Sequence, residues 1–301
     1  METGSKTAVV AAIIGGFVIA LAKGATAALT GSSAMLSETV HSLVDTVNDG
    51  LILFGMHRSR KPPDHAHPFG HGRELYFWSL IVGVLILAAG GGMSVYEGIL
   101  RVLHPPPPGN PLWSYVVLGI SAVFESVSWY FGWKAFRGEQ RGRGIFETIH
   151  ISKDPTSFSV LLEDSAALVG LLLAFLGLVL GHWLRMPTLD GAASIAIGVL
   201  LCIVAGVMVY ESHGLLIGEG VRSETLEGIR EIVSSDPGVE SCGRLLTVYL
   251  GPQEVLLTIE IRFRPDNSPA DIRHSIERLK QGIQDRYPRT WRIYFDAASI
   301  E

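Results

Sequence analysis

The chain has 301 residues, 48% of them hydrophobic and only 18% charged. Soluble globular proteins carry about 25% charged residues, so this composition points to a membrane protein with a soluble part. A net charge of −5 argues against a nucleic-acid partner. The two cysteines, Cys202 in an apolar run and Cys242 in a polar segment, exclude a disulfide framework and a CxxC metal motif.

In chain order, hydropathy marks six segments of spanning length, at about 7–30, 34–56, 75–100, 112–136, 158–183 and 189–212. The first follows METGSKTAVV directly. With no small-residue cleavage site and no Arg- and Ser-rich leader, it reads as a retained helix, which favours a bacterial-type plasma (inner) membrane. Between the third and fourth segments, PPPPGNP at 105–111 reads as a stiff turn, because Pro cannot continue a helix. Basic residues set the orientation. His57, Arg58, Arg60, Lys61 and Arg73 follow the second segment, and Arg137, Arg141, Arg143 and Lys153 follow the fourth. The opposite loops hold mainly Arg101 and Arg185. Both basic loops and both termini are therefore expected in the cytoplasm.

From about residue 213 the composition becomes that of a soluble domain. SETLEGIREIVSSDP (223–237) reads as an amphipathic helix with a capping-box start at Ser223. RLLTVYLG (244–251) and VLLTIEIRFRP (255–265) alternate like strands joined by a tight turn at GPQE. SPADIRHSIERLKQGIQDRYP (268–288) reads as a second helix, and WRIYFDA (291–297) as a last strand. The expected architecture is a multi-pass α-helical membrane domain over 1–212 and a C-terminal cytoplasmic α+β domain, ferredoxin-like, over 213–301. Both helices are expected on one face of the sheet.

The second apolar segment is interrupted. SETVHSLVDTVNDGLILFGMHRSR (37–60) carries Glu38, His41, Asp45, Asn48 and Asp49 in its first half. Ionisable groups at a bilayer centre cost roughly 2.5–3.5 kcal/mol each on insertion scales. At 3.6 residues per turn His41, Asp45 and Asn48 share one face, with Asp49 to one side and Glu38 to the other. An imidazole nitrogen with carboxylate oxygens suits zinc and is acceptable to manganese, iron or cobalt. One helix cannot close such a site, and the fifth segment, SVLLEDSAALVG, offers Glu163 and Asp164. These neighbours point about 100° apart, so one of them should face the His41/Asp45 pair. Hydrogen bonding between helices accounts for a lone buried acid. It accounts less well for a histidine with several carboxylates on two helices. Glu97 and Glu125 have no evident partner and read as structural, and Lys23 either snorkels or pairs with an acid.

A second cluster lies in PPDHAHPFGHGRELYFWSL (62–80), where Asp64, His67 and His71 can meet around one cation if the loop turns at Pro68–Phe69–Gly70. The alternative is a solvated His-rich loop. No HExxH motif and no nucleophile elbow speaks for an enzyme.

HSLVD at 41–45, DHAHPFGHGRE at 64–74, six apolar segments and a small C-terminal α+β domain together resemble the cation diffusion facilitator family of zinc and related metal transporters. SETVHSLVDT, the LHPPP turn and VLLEDSAALVG most resemble the branch around the ninth zinc transporter. The resemblance implies a homodimeric secondary transporter without a prosthetic group. It would exchange a divalent cation, zinc foremost, for protons and export it from the cytoplasm by alternating access. It also implies a transport site with two ligands from helix two, here His41 and Asp45, and two from helix five, here Asp164 and the residue four before it. That residue is Val160, where the family has His or Asp. Glu163, Asn48, Asp49 or water could supply the fourth ligand. Manganese or iron export, and a metal-binding membrane sensor or scaffold without transport, stay open as alternatives. Asp64, His67 and His71 fall on the family's second position near the membrane surface. In the C-terminal domain only Asp296 keeps the family's metal-cluster pattern, with Tyr294 where a His is expected. From Leu215 onward 11 basic residues face 14 acidic ones, so this domain is expected to dimerise without metal.

Overall fold

The computed structural model describes residues 2–105, 112–140 and 153–297. The PPPPGNP turn, apart from Pro105, and Arg141 and Arg143 lie outside the described residues. Among the described residues, six long helices come first. They are α1 (Glu2–Thr30), α2 (Ser33–Ser59), α3 (Glu74–Leu103), α4 (Leu112–Gln140), α5 (Pro155–Leu184) and α6 (Thr188–Ile217). Four are both long and apolar enough to cross a membrane: α3, the Leu112–Lys134 part of α4, the Ser159–Leu184 part of α5, and α6. The Gly15–Thr30 part of α1 is apolar but shorter. α2 has the length, 27 residues or about 40 Å at 1.5 Å per residue, but its acids dilute its apolarity. The chain divides into two compact units, residues 1–57 with 76–213, and residues 58–75 with 214–301. The loop 58–75 therefore belongs with the C-terminal segment, an assignment that a single boundary after residue 212 does not anticipate.

The helical unit is centred on Met35, Val82, Ile86, Leu171, Ile197, Leu201 and Met208. Glycines let α3 and α6 approach closely. A Cβ built on Gly98 would lie 2.7 Å from the Ile195 nitrogen and 2.8 Å from the Gly191 oxygen. One built on Gly198 would lie 2.7 Å from the Val95 nitrogen and 2.8 Å from the Gly91 oxygen. Both pairs recur seven residues apart, so one seam of small residues runs between the two helices, as suits membrane helices that associate by contact rather than by hydrophobic drive. Within α3 the run ILAAGGG, Ile86–Gly92, winds as a π-helix beside this seam. Gly98→Leu is expected to destabilise the helical unit by about 3 kcal/mol, because backbone faces it at contact distance and cannot yield. Thermal inactivation followed by size-exclusion chromatography reads this directly, and an unchanged midpoint would show that the seam does not matter.

The second unit contains α7 (Ser223–Ser234), β1 (Val239–Gly251), β2 (Glu254–Phe263), α8 (Pro269–Arg286) and β3 (Thr290–Asp296). β1 pairs antiparallel with β2, and β3 pairs parallel with β2, giving the order β1-β2-β3. Among the described residues the sheet has three strands, one fewer than the four of a full ferredoxin-like arrangement. Val255, Leu257, Ile259 and Ile261 of β2 alternate onto the buried face and are fully buried, as are Ile229 and Val233 of α7 and Ile283 of α8. The capping box predicted at Ser223 is not formed. Arg222 is the N-cap and gives no side-chain cap. The box belongs to α8, where Ser268 accepts from the Asp271 N–H and the Asp271 carboxylate accepts from the Ser268 N–H.

Asp236 ties the two helices together. Its carboxylate accepts from Gly238 N (2.9 Å), Ser275 Oγ (2.8 Å) and both Arg278 Nε and an Arg278 terminal nitrogen (2.9 Å each). Burial pushes this carboxyl up, but the Arg278 guanidinium, the Gly238 N–H and the Ser275 hydroxyl outweigh that and hold it below the usual carboxylate range. A lowered folded-state pKa contributes stability that is present above the unfolded value, near 3.9. That stability is lost as pH falls through the lower folded value. Asp236→Asn is expected to cost about 2 kcal/mol at pH 7 and to flatten the acid limb below about pH 4. Hydrogen exchange over residues 223–297 of the full chain, followed against pH, checks both.

Candidate metal sites

In the helical unit, α2 places His41 and Asp45 one turn apart, and His41 Nδ1 lies 3.2 Å from Asp45 Oδ1. The His41 side chain is 2% exposed and that of Asp45 24%. Neither imidazole nitrogen makes a formed hydrogen bond, and Asp45 Oδ1 and both amide atoms of Asn48 are likewise buried without one. Buried polar atoms are normally satisfied. This concentration of unsatisfied ligand-type atoms on one helix face is what a dehydrated cation would complete.

α5 supplies the opposing carboxylates, and the 100° between neighbours separates their roles. Glu163 lies beside Asn48 and within electrostatic reach of Asp45 and Asp49. Asp164 turns toward α4, where Ser128 Oγ donates to its Oδ2 at 2.8 Å, while staying within electrostatic reach of Asp45 and Asp49. Val160 faces α4 as well, 3.5 Å from a Cβ built on Gly132. The structure thus gathers His41, Asp45, Asn48, Glu163 and Asp164 in one region, with Glu163 on the α2 side and Asp164 on the α4 side.

Two of the remaining polar residues gain partners. Lys23, 0% exposed, donates to Glu38 Oε2 at 3.1 Å and to Ser42 Oγ at 2.7 Å, so it pairs rather than snorkels. Glu97 accepts from Arg101 Nε at 2.9 Å on its own helix. Glu125, with no evident partner in the sequence, lies within electrostatic reach of Lys23, Asp45, His41 and Glu38. The sequence signal for it lay in the spacing of polar and small residues along α4, not in a motif.

In the second unit, Asp64, His67 and His71 form a tighter group. Among the described residues they are the set of three or more His, Cys, Asp or Glu side chains whose ligand atoms all lie within 4.8 Å of one another. Asp64 Oδ1 is 3.3 Å from His67 Nδ1, and Asp64 Oδ2 is 3.5 Å from His71 Nε2. The turn is local. His67 N donates to Asp64 Oδ1 at 2.6 Å, Gly70 N to His67 O at 2.9 Å, and Gly70 sits at φ +85°, which only glycine adopts freely. The His67 backbone N–H, with both histidines beside it, holds the Asp64 carboxyl below its ordinary range and keeps it ionised. The loop is anchored on the sheet. Arg73 Nε donates to Tyr249 O at 3.3 Å, and Gly72 meets Leu250 O with no room for a Cβ. Phe69 packs edge-on against Tyr294 under the Arg292 guanidinium. Tyr294, which occupies the position where a His was expected, therefore serves as a packing surface for the loop.

The transmembrane family described as the cation efflux transmembrane domain matches residues 9–217. Over 236 residues, 78% of this chain, the sequence is 34% identical to the human mitochondrial proton-coupled zinc antiporter SLC30A9, and it spans 42% of that protein's length. It is 31% identical over 236 residues to metal tolerance protein C4 of Arabidopsis thaliana, covering 78% of this chain and 52% of that one. It is 25% identical over 280 residues to the magnetosome protein MamM of Magnetospirillum gryphiswaldense, covering 90% and 81%. With its apolar helices and its polar groups gathered inside them, the chain belongs to the cation efflux family, also called cation diffusion facilitators.

Proposed function

We propose that the chain is a proton-coupled divalent-cation antiporter that exports zinc from the cytoplasm as a homodimer with six membrane spans. In this reading both termini are cytoplasmic, the membrane is of the bacterial plasma type, and residues 213–301 form the cytoplasmic dimerisation domain without bound metal. The observation that carries it is the buried His41 imidazole, with both nitrogens unsatisfied, beside Asp45, which itself lies within electrostatic reach of the α5 carboxylates. His41, Asp45 and Asp164 replace the water shell of the cation. Those ligands bind metal only when deprotonated, so metal and protons compete for the same atoms. A site open to a near-neutral cytoplasm releases protons and takes metal. Opened to a more acidic exterior, it takes protons and releases metal. Rocking of the helices that carry the ligands supplies alternating access. The relative named a zinc antiporter supports zinc as the cargo, while the carboxylate-rich set leaves manganese, iron or cobalt as competitors.

A sensor without flux is favoured by one observation: the most compact ligand group, Asp64, His67 and His71, lies in the unit that holds the C-terminal sheet. Metal-dependent proton flux in proteoliposomes, compared for Zn2+, Mn2+, Fe2+ and Co2+, separates the two. Zn2+-coupled flux that vanishes when the proton gradient is collapsed is the expected result. Binding without flux for every metal leaves the sensor.

A further inference from the structure

The stripe Ser114, Leu118, Ser121, Glu125, Ser128 and Gly132 recurs along α4 at steps of three and four, so these residues share one helix face. The first half of that face is turned inward: Ser114, Leu118 and Ser121 are buried, Glu125 and Gly132 are half-buried and Ser128 is exposed, whereas Val123, Phe124, Val127 and Phe131 on the other side are all exposed as lipid-facing residues would be. The register of the stripe follows from its contacts. Ser128 donates to Asp164, and Gly132 lies at Val160, so α4 and α5 run antiparallel with those pairs level. Three residues further along, Glu125 is level with Ala167. On the α2 side of α5, a Cβ built on Gly170 would lie 2.7 Å from Glu38 Oε1, which puts Ala167 level with His41. Glu125, His41 and Asp164 therefore sit within one helical turn of depth on three helices. The electrostatics agree. Glu125 interacts with His41, Asp45, Lys23 and Glu38, and bears on Asp49 and Asp164. His41, 2% exposed, holds both nitrogens unsatisfied at this depth.

We propose that Glu125 is the fourth ligand of the intramembrane cation site, supplied by α4 in place of the side chain that Val160 does not offer. This rests on the proposal that His41, Asp45 and Asp164 bind the transported cation. Glu163 is already turned to Asn48, and α4 is the helix against which both Val160 and Asp164 lie. A ligand missing from α5 at that face is thus replaced from the neighbour that faces it. The resulting set of one imidazole and three carboxylates suits a divalent cation of zinc or manganese type.

The test is metal binding by the full chain in detergent micelles, carrying Asp64→Ala so that the loop cluster does not report. It is titrated with Zn2+ and with Co2+, whose visible absorption intensifies on four-coordination. Glu125→Gln is expected to weaken Zn2+ binding at least tenfold and to remove the Co2+ absorption. Adding Val160→Asp to that variant is expected to restore both to within threefold. If Glu125→Gln binds like its parent while His41→Ala has lost binding, Glu125 is no ligand and the site stands without it. If His41→Ala and Asp45→Ala also bind like the parent, the site itself is misplaced and the proposal goes with it. Where Glu125→Gln does not give a monodisperse protein, Val160→Asp alone decides. A gain under threefold is expected with the fourth position already filled, and a tenfold gain overturns the proposal.

Discussion

Asp45→Ala is expected to lower metal-driven proton flux at least 100-fold while the protein still elutes as the wild type does. Two roles meet in this carboxylate. It is a ligand-type oxygen in a region of unsatisfied polar atoms, and it sits 3.2 Å from His41 Nδ1, close enough to orient the ring once a cation is bound. Loss of a group that merely orients a metal-binding histidine costs about 10–100-fold, and here a ligand is lost with it. His41→Ala should give the same loss. Both side chains are polar groups inside an apolar unit, so removing them relieves a burial cost, and the fold has no reason to fail. His67→Ala serves as the contrast. It removes a ligand atom from the loop cluster, 3.3 Å from Asp64, and is expected to change flux less than fivefold. Flux in Asp45→Ala within threefold of wild type would place transport elsewhere, with the loop cluster the first place to look.

The His41–Asp45 pair on α2 is legible because a helix has a fixed period. Four residues is about one turn, and an acid one turn from a histidine in an apolar segment carries a burial cost that packing alone does not repay. The loop cluster was legible because Asp64, His67 and His71 are local and the turn between them needs a glycine, which Gly70 supplies. The contributions that cross between helices were not legible. Lys23 meets Glu38 and Ser42 across 15 and 19 residues of chain, and Ser128 meets Asp164 across 36. Nothing in the spacing of one segment says which face of another it meets. Glu125 shows no partner in the sequence for that reason: its neighbours along the stripe are mostly serines and a glycine, which carry no motif. The cap at Ser223 failed on a smaller scale. A Ser three or four residues before a Glu fits a capping box, but the chain enters α7 one residue earlier, at Arg222. The second helix, where Pro269 follows Ser268 and Asp271 stands at N3, forms the box instead.

Lys23→Met is expected to destabilise the helical unit by about 3–5 kcal/mol, the cost of leaving one partner of a buried ion pair uncompensated. Both side chains are 0% exposed, and Glu38 has little to fall back on. Its Oε1 already lacks a hydrogen bond, and Gly170 approaches it closely from α5. Ser42 loses its donor as well. The double variant Lys23→Met/Glu38→Met removes both charges at similar volume. It is expected to recover to within about 1 kcal/mol of wild type, because apolar replacement of a whole buried pair is often neutral. Unfolding in mixed micelles of rising SDS fraction gives the four corners of the cycle, and the coupling energy isolates the pair. A single variant within about 0.5 kcal/mol of wild type would show that the lysine does not hold α1 to α2. A fully stable double variant with slowed flux would separate the two uses of the pair. Stability alone does not need these charges, so their retention beside His41 would then reflect transport: a fixed cation on α1 that keeps Glu38 from competing for the mobile one.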